Sequence, residues 1–216
     1  MANKYLSYIS DGHLLSCIEN LYQSYTKAKA DFSKTKFYSN KIDSVKLVFD
    51  SKFNTMNEEE LIESEILRQI DKSINNSIGT FHEQILGGIK GFQSLINEDF
   101  NIKSTDGTLF VDIHFNPIKD NLSLCIFQKL SNSANFYNNS KIYLVDFFGD
   151  GSLNEKWSVE IGDGRYSHRN VYKITGEQLY FLLSGQKNAL QKLEMVLPTA
   201  INDYLNRAKV KGKLVM

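Results

Sequence analysis

The chain has 216 residues, 42% of them hydrophobic and 12% aromatic, which is enough apolar material to bury a substantial core and excludes disorder as its main state. Its 25 Lys and Arg cancel its 25 Asp and Glu, and the pI is near 6.9. A uniformly basic polyanion binder is excluded, and only a local basic cleft remains possible. No apolar run approaches the roughly 20 residues that span a bilayer, and the polar opening stretch lacks the apolar segment of a secretion signal. A cytoplasmic protein is expected. Cys17 and Cys125 are isolated, so neither a disulfide framework nor a structural zinc site is expected.

No internal repeat and no Ser/Gly linker interrupts the chain, which predicts a single domain over residues 1–216. Asp11 is placed to cap a first helix with the stripe Leu14, Leu15, Ile18, Leu21 and Tyr22, running out into the charged stretch from Lys27 to Lys34. Lys46 to Asp50 alternates briefly and reads as a short strand or extended segment. Asn57 then caps a helix with Glu58, Glu59 and Glu60 in its first turn, where the macrodipole favours anions. Asn75-Asn76-Ser77 reads as a loop before a second helix carrying Ile78, Phe81, Ile85 and Leu86, which the pair Gly87-Gly88 ends or loosens.

From residue 99 the pattern becomes strand-like. Asp99 to Lys103 alternates, Asp106-Gly107 is a hairpin turn signal, and Thr108 to Phe115 alternates again. These two segments are expected to pair antiparallel. A helix capped by Asp120 carries Leu122, Ile126, Phe127 and Leu130, and the apolar run from Ile142 to Phe148 reads as a central buried strand. Trp157 to Ile161 and Val171 to Ile174 are shorter strands. Thr175 caps a helix ended by Gly185, and a last helix runs from about Gln186 through Leu205. The fold class is α/β, a mixed sheet of about five strands flanked by helices.

On the second strand of the hairpin, alternation puts Asp112 and His114 on one face, opposite Val111, Ile113 and Phe115. With Asn101 from the partner strand they form a candidate site for one divalent cation. The plainer reading is a solvent-facing hairpin edge.

Nearly the whole chain, from Tyr8-Ile9-Ser10-Asp11 to Leu197-Pro198, resembles the type II restriction endonucleases that cut GGNCC or GGWCC sites on the PD-(D/E)XK nuclease core. The stretches that carry the resemblance run from Val45 to Lys52, from Glu63 to Ser73 and from Asn75 to His82. Tyr143-Leu144-Val145, Trp157, Arg169, Leu182-Leu183-Ser184-Gly185 and the terminal helix with Ala189, Leu190 and Leu193 add to it. The resemblance implies a restriction-endonuclease-like fold and a Mg²⁺-dependent, site-specific endodeoxyribonuclease. It further implies a homodimer reading a two-fold target in double-stranded DNA, and a cognate DNA methyltransferase encoded nearby. In such nucleases an Asp and a Glu-X-Lys bind Mg²⁺ and activate water. Here those positions read Asn101, Asp112 and His114. Asp112 is then the principal metal ligand, with Asn101 or Asp99 as the second, Glu65 as a further helix carboxylate, and His114 in the lysine's place as a base. For Glu65 the alternative is a solvated helix face, ion-paired with Arg68 and Lys72. DNA contacts are assigned to Arg165, His168 and Arg169 in the Gly-rich loop GDGRYSHR, against a merely solvated loop, and to Lys72 and Asn76, the latter against a loop cap or ordinary hydrogen bonding. Three readings follow: an active endonuclease, a descendant that binds DNA or keeps only the scaffold, or a structural or protein-interaction domain.

Overall fold

The structure, a computed structural model, describes residues 3–31, 43–95, 98–137, 139–149 and 151–210. They form two compact units, Met1–Cys17 with His82–Met216, and Ile18–Phe81. In the first, a six-stranded mixed sheet has the order β1-β2-β3-β4-β6-β5. Its strands are β1 (Phe92–Ser94), β2 (Ile102–Ser104), β3 (Leu109–His114), β4 (Lys141–Asp146), β5 (Asn154–Ile161) and β6 (Gly164–Thr175). β3, β4 and β6 run parallel and the other pairs antiparallel. The sixth strand beyond the expected count is β1, three residues too short to leave an alternating pattern.

β4 is the central strand, and Ile142, Tyr143, Leu144 and Val145 are all buried, as a strand covered on both faces requires. Helix α4 (Asp120–Phe136) joins β3 to β4. Its Phe127, Leu130 and Ala134 pack with Phe110, Ile142, Leu144, Val171, Trp157 and Val159 into one core, with Phe127 edge-on to Trp157 at 5.3 Å. Helices α5 (Gly176–Ser184) and α6 (Ala189–Val210) complete the chain. Among the described residues no helix is long and apolar enough to cross a membrane.

Several expectations change for local reasons. Lys46 to Asp50 lies in helix α2 (Ser44–Phe53), whose start is capped by Asp43 accepting from Val45 N and Lys46 N. Five alternating residues fit a helix as well as a strand, and the cap together with the Lys46–Asp50 ion pair favours the helix. Asn75, Asn76 and Ser77 lie inside the 30-residue helix α3 (Glu58–Gly87). Their polar side chains do not break it, because Asn75 donates to Asp71 and Ser77 to the Ser73 carbonyl one turn back. The expected start of α3 holds as a reciprocal cap, with Asn57 Oδ1 accepting from Glu60 N and Glu60 Oε2 from Asn57 N.

Helix α1 (Asp11–Asp31) begins at Asp11 rather than after it. Ser10 Oγ accepts from His13 N, and the Asp11 carboxylate receives the amides of Lys4 and Tyr5. The stretch beyond Asp31 toward Lys34 lies outside the described residues, as does Asp150. α4 begins at Asp120 with Lys119 in the capping position, and Thr175 stands at the start of α5; neither Lys119 nor Thr175 makes a side-chain cap bond. The last helix starts at Ala189, after Asn188 with φ +57°. The segment GDGRYSHR is a tight turn at Gly162-Asp163 followed by strand β6.

Candidate active site

Asp112 and His114 share a face of β3 with Phe110, as alternation predicts, but this face is no solvent edge. Phe110 is buried in the α4-covered core, and α4 extends far enough to bring Lys129 to Asp112. The Asp112 and His114 side chains are only 14% and 29% exposed. His114 Nε2 lies 3.4 Å from Asp112 Oδ1, is buried, and makes no hydrogen bond. Lys129 Nζ lies 3.6 Å from Asp112 Oδ2.

Parallel register places further groups beside this pair. His114 is opposite Asp146 on β4, and Asp112 is opposite Leu144, which in turn is opposite Lys173 on β6. Lys173 Nζ pairs with Asp146 Oδ2 at 3.2 Å. The carboxyl ends of three parallel strands therefore gather Asp112, His114, Asp146 and Lys173, the place where open α/β sheets hold ligands.

Asn101 lies just before β2. Its Oδ1 accepts from Ile113 N at 2.7 Å, while its own backbone carbonyl goes to Leu95 N. Asn101 N itself donates to the Val111 carbonyl, so the side chain adds a further rung between this segment and β3. Its Nδ2 donates to Glu83 Oε1 at 2.9 Å. Burial pushes the Glu83 carboxyl above its ordinary range, opposed by the Asn101 bond. Asp99 is not on a strand, because β2 begins at Ile102. Its side chain is 82% exposed and 3.8 Å from Lys129 Nζ.

The remaining predicted residues lie elsewhere. Glu65 is not on a solvated face. It is buried, accepting from Arg68 Nε at 2.8 Å and Gln69 Nε2 at 3.0 Å. The Arg68 guanidinium holds its carboxyl down to about 2. Lys72 and Asn76 are exposed on α3. Arg165, His168 and Arg169 stand toward the opposite end of β6 from Lys173, on a strand and not in a loop. Arg165 donates to Ser158 Oγ, His168 Nε2 lies 3.3 Å from Asn135 Oδ1, and Arg169 is exposed.

Lys129, Glu83, Asp146 and Lys173 escape sequence reasoning. Each is a lone charge on an ordinary amphipathic pattern, and only strand order brings them to Asp112.

Magnesium asks for hard oxygen donors, usually one or two carboxylates with water and substrate phosphate. Of the oxygens at hand, Asn101 Oδ1 is spent on Ile113 N, Glu83 Oε1 accepts from Asn101, Asp146 pairs with Lys173, and Asp99 and Asp112 both face the Lys129 ammonium. Among the described residues no three His, Cys, Asp or Glu side chains converge as a metal site. The donor set does not fit the cation that the resemblance implies.

An antiparallel meander, a crossing helix and a parallel fourth strand, with polar groups at the strand ends, define the class: a restriction-endonuclease-like α/β fold. The comparisons agree. The Eco47II restriction endonuclease family model matches residues 6–206. The chain is 33% identical to the type II restriction enzyme Sau96I of Staphylococcus aureus, over 98% of this chain and 85% of that protein. It is 29% identical to the type II restriction enzyme Eco47II of Escherichia coli, over 93% of this chain and 88% of that protein. The chain belongs to the Eco47II restriction endonuclease family.

Proposed function

We propose that this chain is a type II restriction endonuclease that makes site-specific cuts in double-stranded DNA, with phosphodiester hydrolysis centred on Asp112 and His114. The observation that carries the reading is the buried, unbonded His114 Nε2 at 3.4 Å from the Asp112 carboxylate, at the carboxyl end of β3. In the reaction, His114 takes a proton from water as the water oxygen bonds to phosphorus. One bond from phosphorus to a sugar oxygen breaks, and the departing oxygen takes a proton from solvent. The products are a phosphate monoester and an alcohol. Asp112 stabilises the imidazolium that forms, and the Lys129 ammonium the charge growing on the phosphate. Magnesium has no step in this scheme, since the donors do not suit it.

Arg165, His168, Arg169, Lys72 and Asn76 are the proposed DNA contacts, the arginines matching phosphate or guanine bidentately. The proposed partners are a second copy of the chain on a two-fold target and a DNA methyltransferase encoded nearby. The proposed location is the cytoplasm. A second reading, binding of the target without cutting, is favoured by Asn101, an amide where the resemblance implies a carboxylate.

Incubation with plasmid and unmethylated genomic DNA, in Mg²⁺, Mn²⁺ or EDTA, separates the readings. Discrete fragments that vanish in Asp112→Ala and His114→Ala are expected of the endonuclease. Retarded but uncut DNA supports the second reading, and neither binding nor cleavage overturns both.

A further inference from the structure

Lys129 is the only basic residue of α4. Its neighbours in sequence, Ile126, Phe127 and Leu130, fasten that part of the helix to the sheet, which fixes where the lysine stem starts. The ammonium donates to the Asp99 carbonyl at 3.0 Å and lies 3.8 Å from the Asp99 carboxylate and 3.6 Å from that of Asp112. It also lies 6.0 Å from the centre of the Phe100 ring. One positive charge therefore stands between the carboxylates of Asp99 and Asp112. An ammonium carries three donors, and the Lys129 side chain is 44% exposed, so it can still meet an incoming anion.

The other groups agree with a resident monovalent charge. Asn101 brings no negative charge, and its oxygen is bonded to Ile113 N. Asp146 has its own partner in Lys173. A divalent ion placed at Asp112 would have to displace the ammonium or share the carboxylate with it, and repulsion between the two cations opposes sharing.

We propose that the ammonium of Lys129 takes the place of a divalent cation at the Asp112 centre and meets the DNA phosphate there directly, so that the site binds DNA without bound metal. The phosphate contact rests on the reading of this cleft as the one that faces DNA. The exclusion of the cation does not.

Two measurements on the full chain decide the two parts. The first is a Mn²⁺ titration without DNA, followed by electron paramagnetic resonance. The wild type is expected to show no saturable site below millimolar Mn²⁺. Lys129→Met and Lys129→Gln, with native circular dichroism, are expected to bind about tenfold tighter or more, and adding Asp112→Asn should remove that gain. A submillimolar wild-type site lost in Asp112→Asn, or Lys129 variants that bind no tighter than wild type, would overturn the exclusion.

The second is plasmid binding in EDTA across a salt series. The wild type should bind, and Lys129→Met should lower the slope of log affinity against log salt by about 1. An unchanged slope, with the variant folded, overturns the phosphate contact. No binding by any form overturns that contact and the DNA reading together, while the Mn²⁺ titration still decides the cation.

Discussion

Asn101 serves two partners with one amide, and the choice of amide over carboxylate has a physical reason. Its oxygen replaces a backbone acceptor for the Ile113 amide, while its nitrogen holds Glu83. An aspartate could keep the first bond but would set two carboxylates against each other at the second. Asn101→Ala should therefore cost about 1–3 kcal/mol, measured by urea unfolding, because it orphans a buried strand amide. Asn101→Asp should instead lose stability progressively as pH rises and both carboxyls ionise.

His82 behaves differently. It is enclosed by Phe115, Phe147 and Tyr180, with Nδ1 2.9 Å from the Tyr180 hydroxyl oxygen, and burial pulls its pKa down to about 4. The unfolded chain, near 6.5, takes up the proton first, so stability is full above that value and falls as pH drops toward 4. A loss of about 2 kcal/mol between pH 7 and pH 5 is expected from this group. Urea titrations at the two pH values check it, and His82→Gln should lack that share of the slope. The pairing of Asp112 with His114 was legible from a period of two. The contacts of Lys129 and Glu83 were not, because each joins residues at least 17 positions apart on different elements.

At the scale of elements, the polar triplet in α3 and the brief alternation in α2 show where local patterns mislead. Asn and Ser favour turns only when they bond to nearby backbone in non-helical form, and here they bond back along the helix instead. The Gly87-Gly88 pair ends α3 as its glycines predict, and the fold adds a second reason for it. A Cβ on Gly88 would stand 2.1 Å from His13 Nε2, and one on Gly87 would stand 2.4 Å from Ser94 N. The His13 ring in turn donates to the Gln84 carbonyl at 2.8 Å. Gly88→Ala should lower stability by about 1–3 kcal/mol. Thermal unfolding measures it, and an unchanged midpoint would show that the close approach is not rigid. Gly185, with φ +68° at the end of α5, should cost about 1 kcal/mol when changed to Ala, for backbone strain alone.

For the whole molecule, zero net charge is compatible with DNA as partner because charge is sorted locally. Glu58, Glu59 and Glu60 crowd the start of α3, and Arg165 and Arg169 lie on β6. If the target is two-fold, sedimentation equilibrium with cognate DNA should give protein at twice the 24.7 kDa of one chain. One protomer per duplex would overturn the symmetric arrangement.

Residue order and period by themselves determined the α/β class, the buried central strand, the Asp106-Gly107 hairpin and the shared face of Asp112 and His114. These depend on neighbours within a few positions, where backbone geometry dictates which side chains align. Tertiary structure alone decided that Asn101 completes a strand ladder and that an ammonium stands at Asp112. Those outcomes depend on where α4 lies on the sheet and on which strands adjoin, and helix packing sets them through burial of residues far apart in the chain.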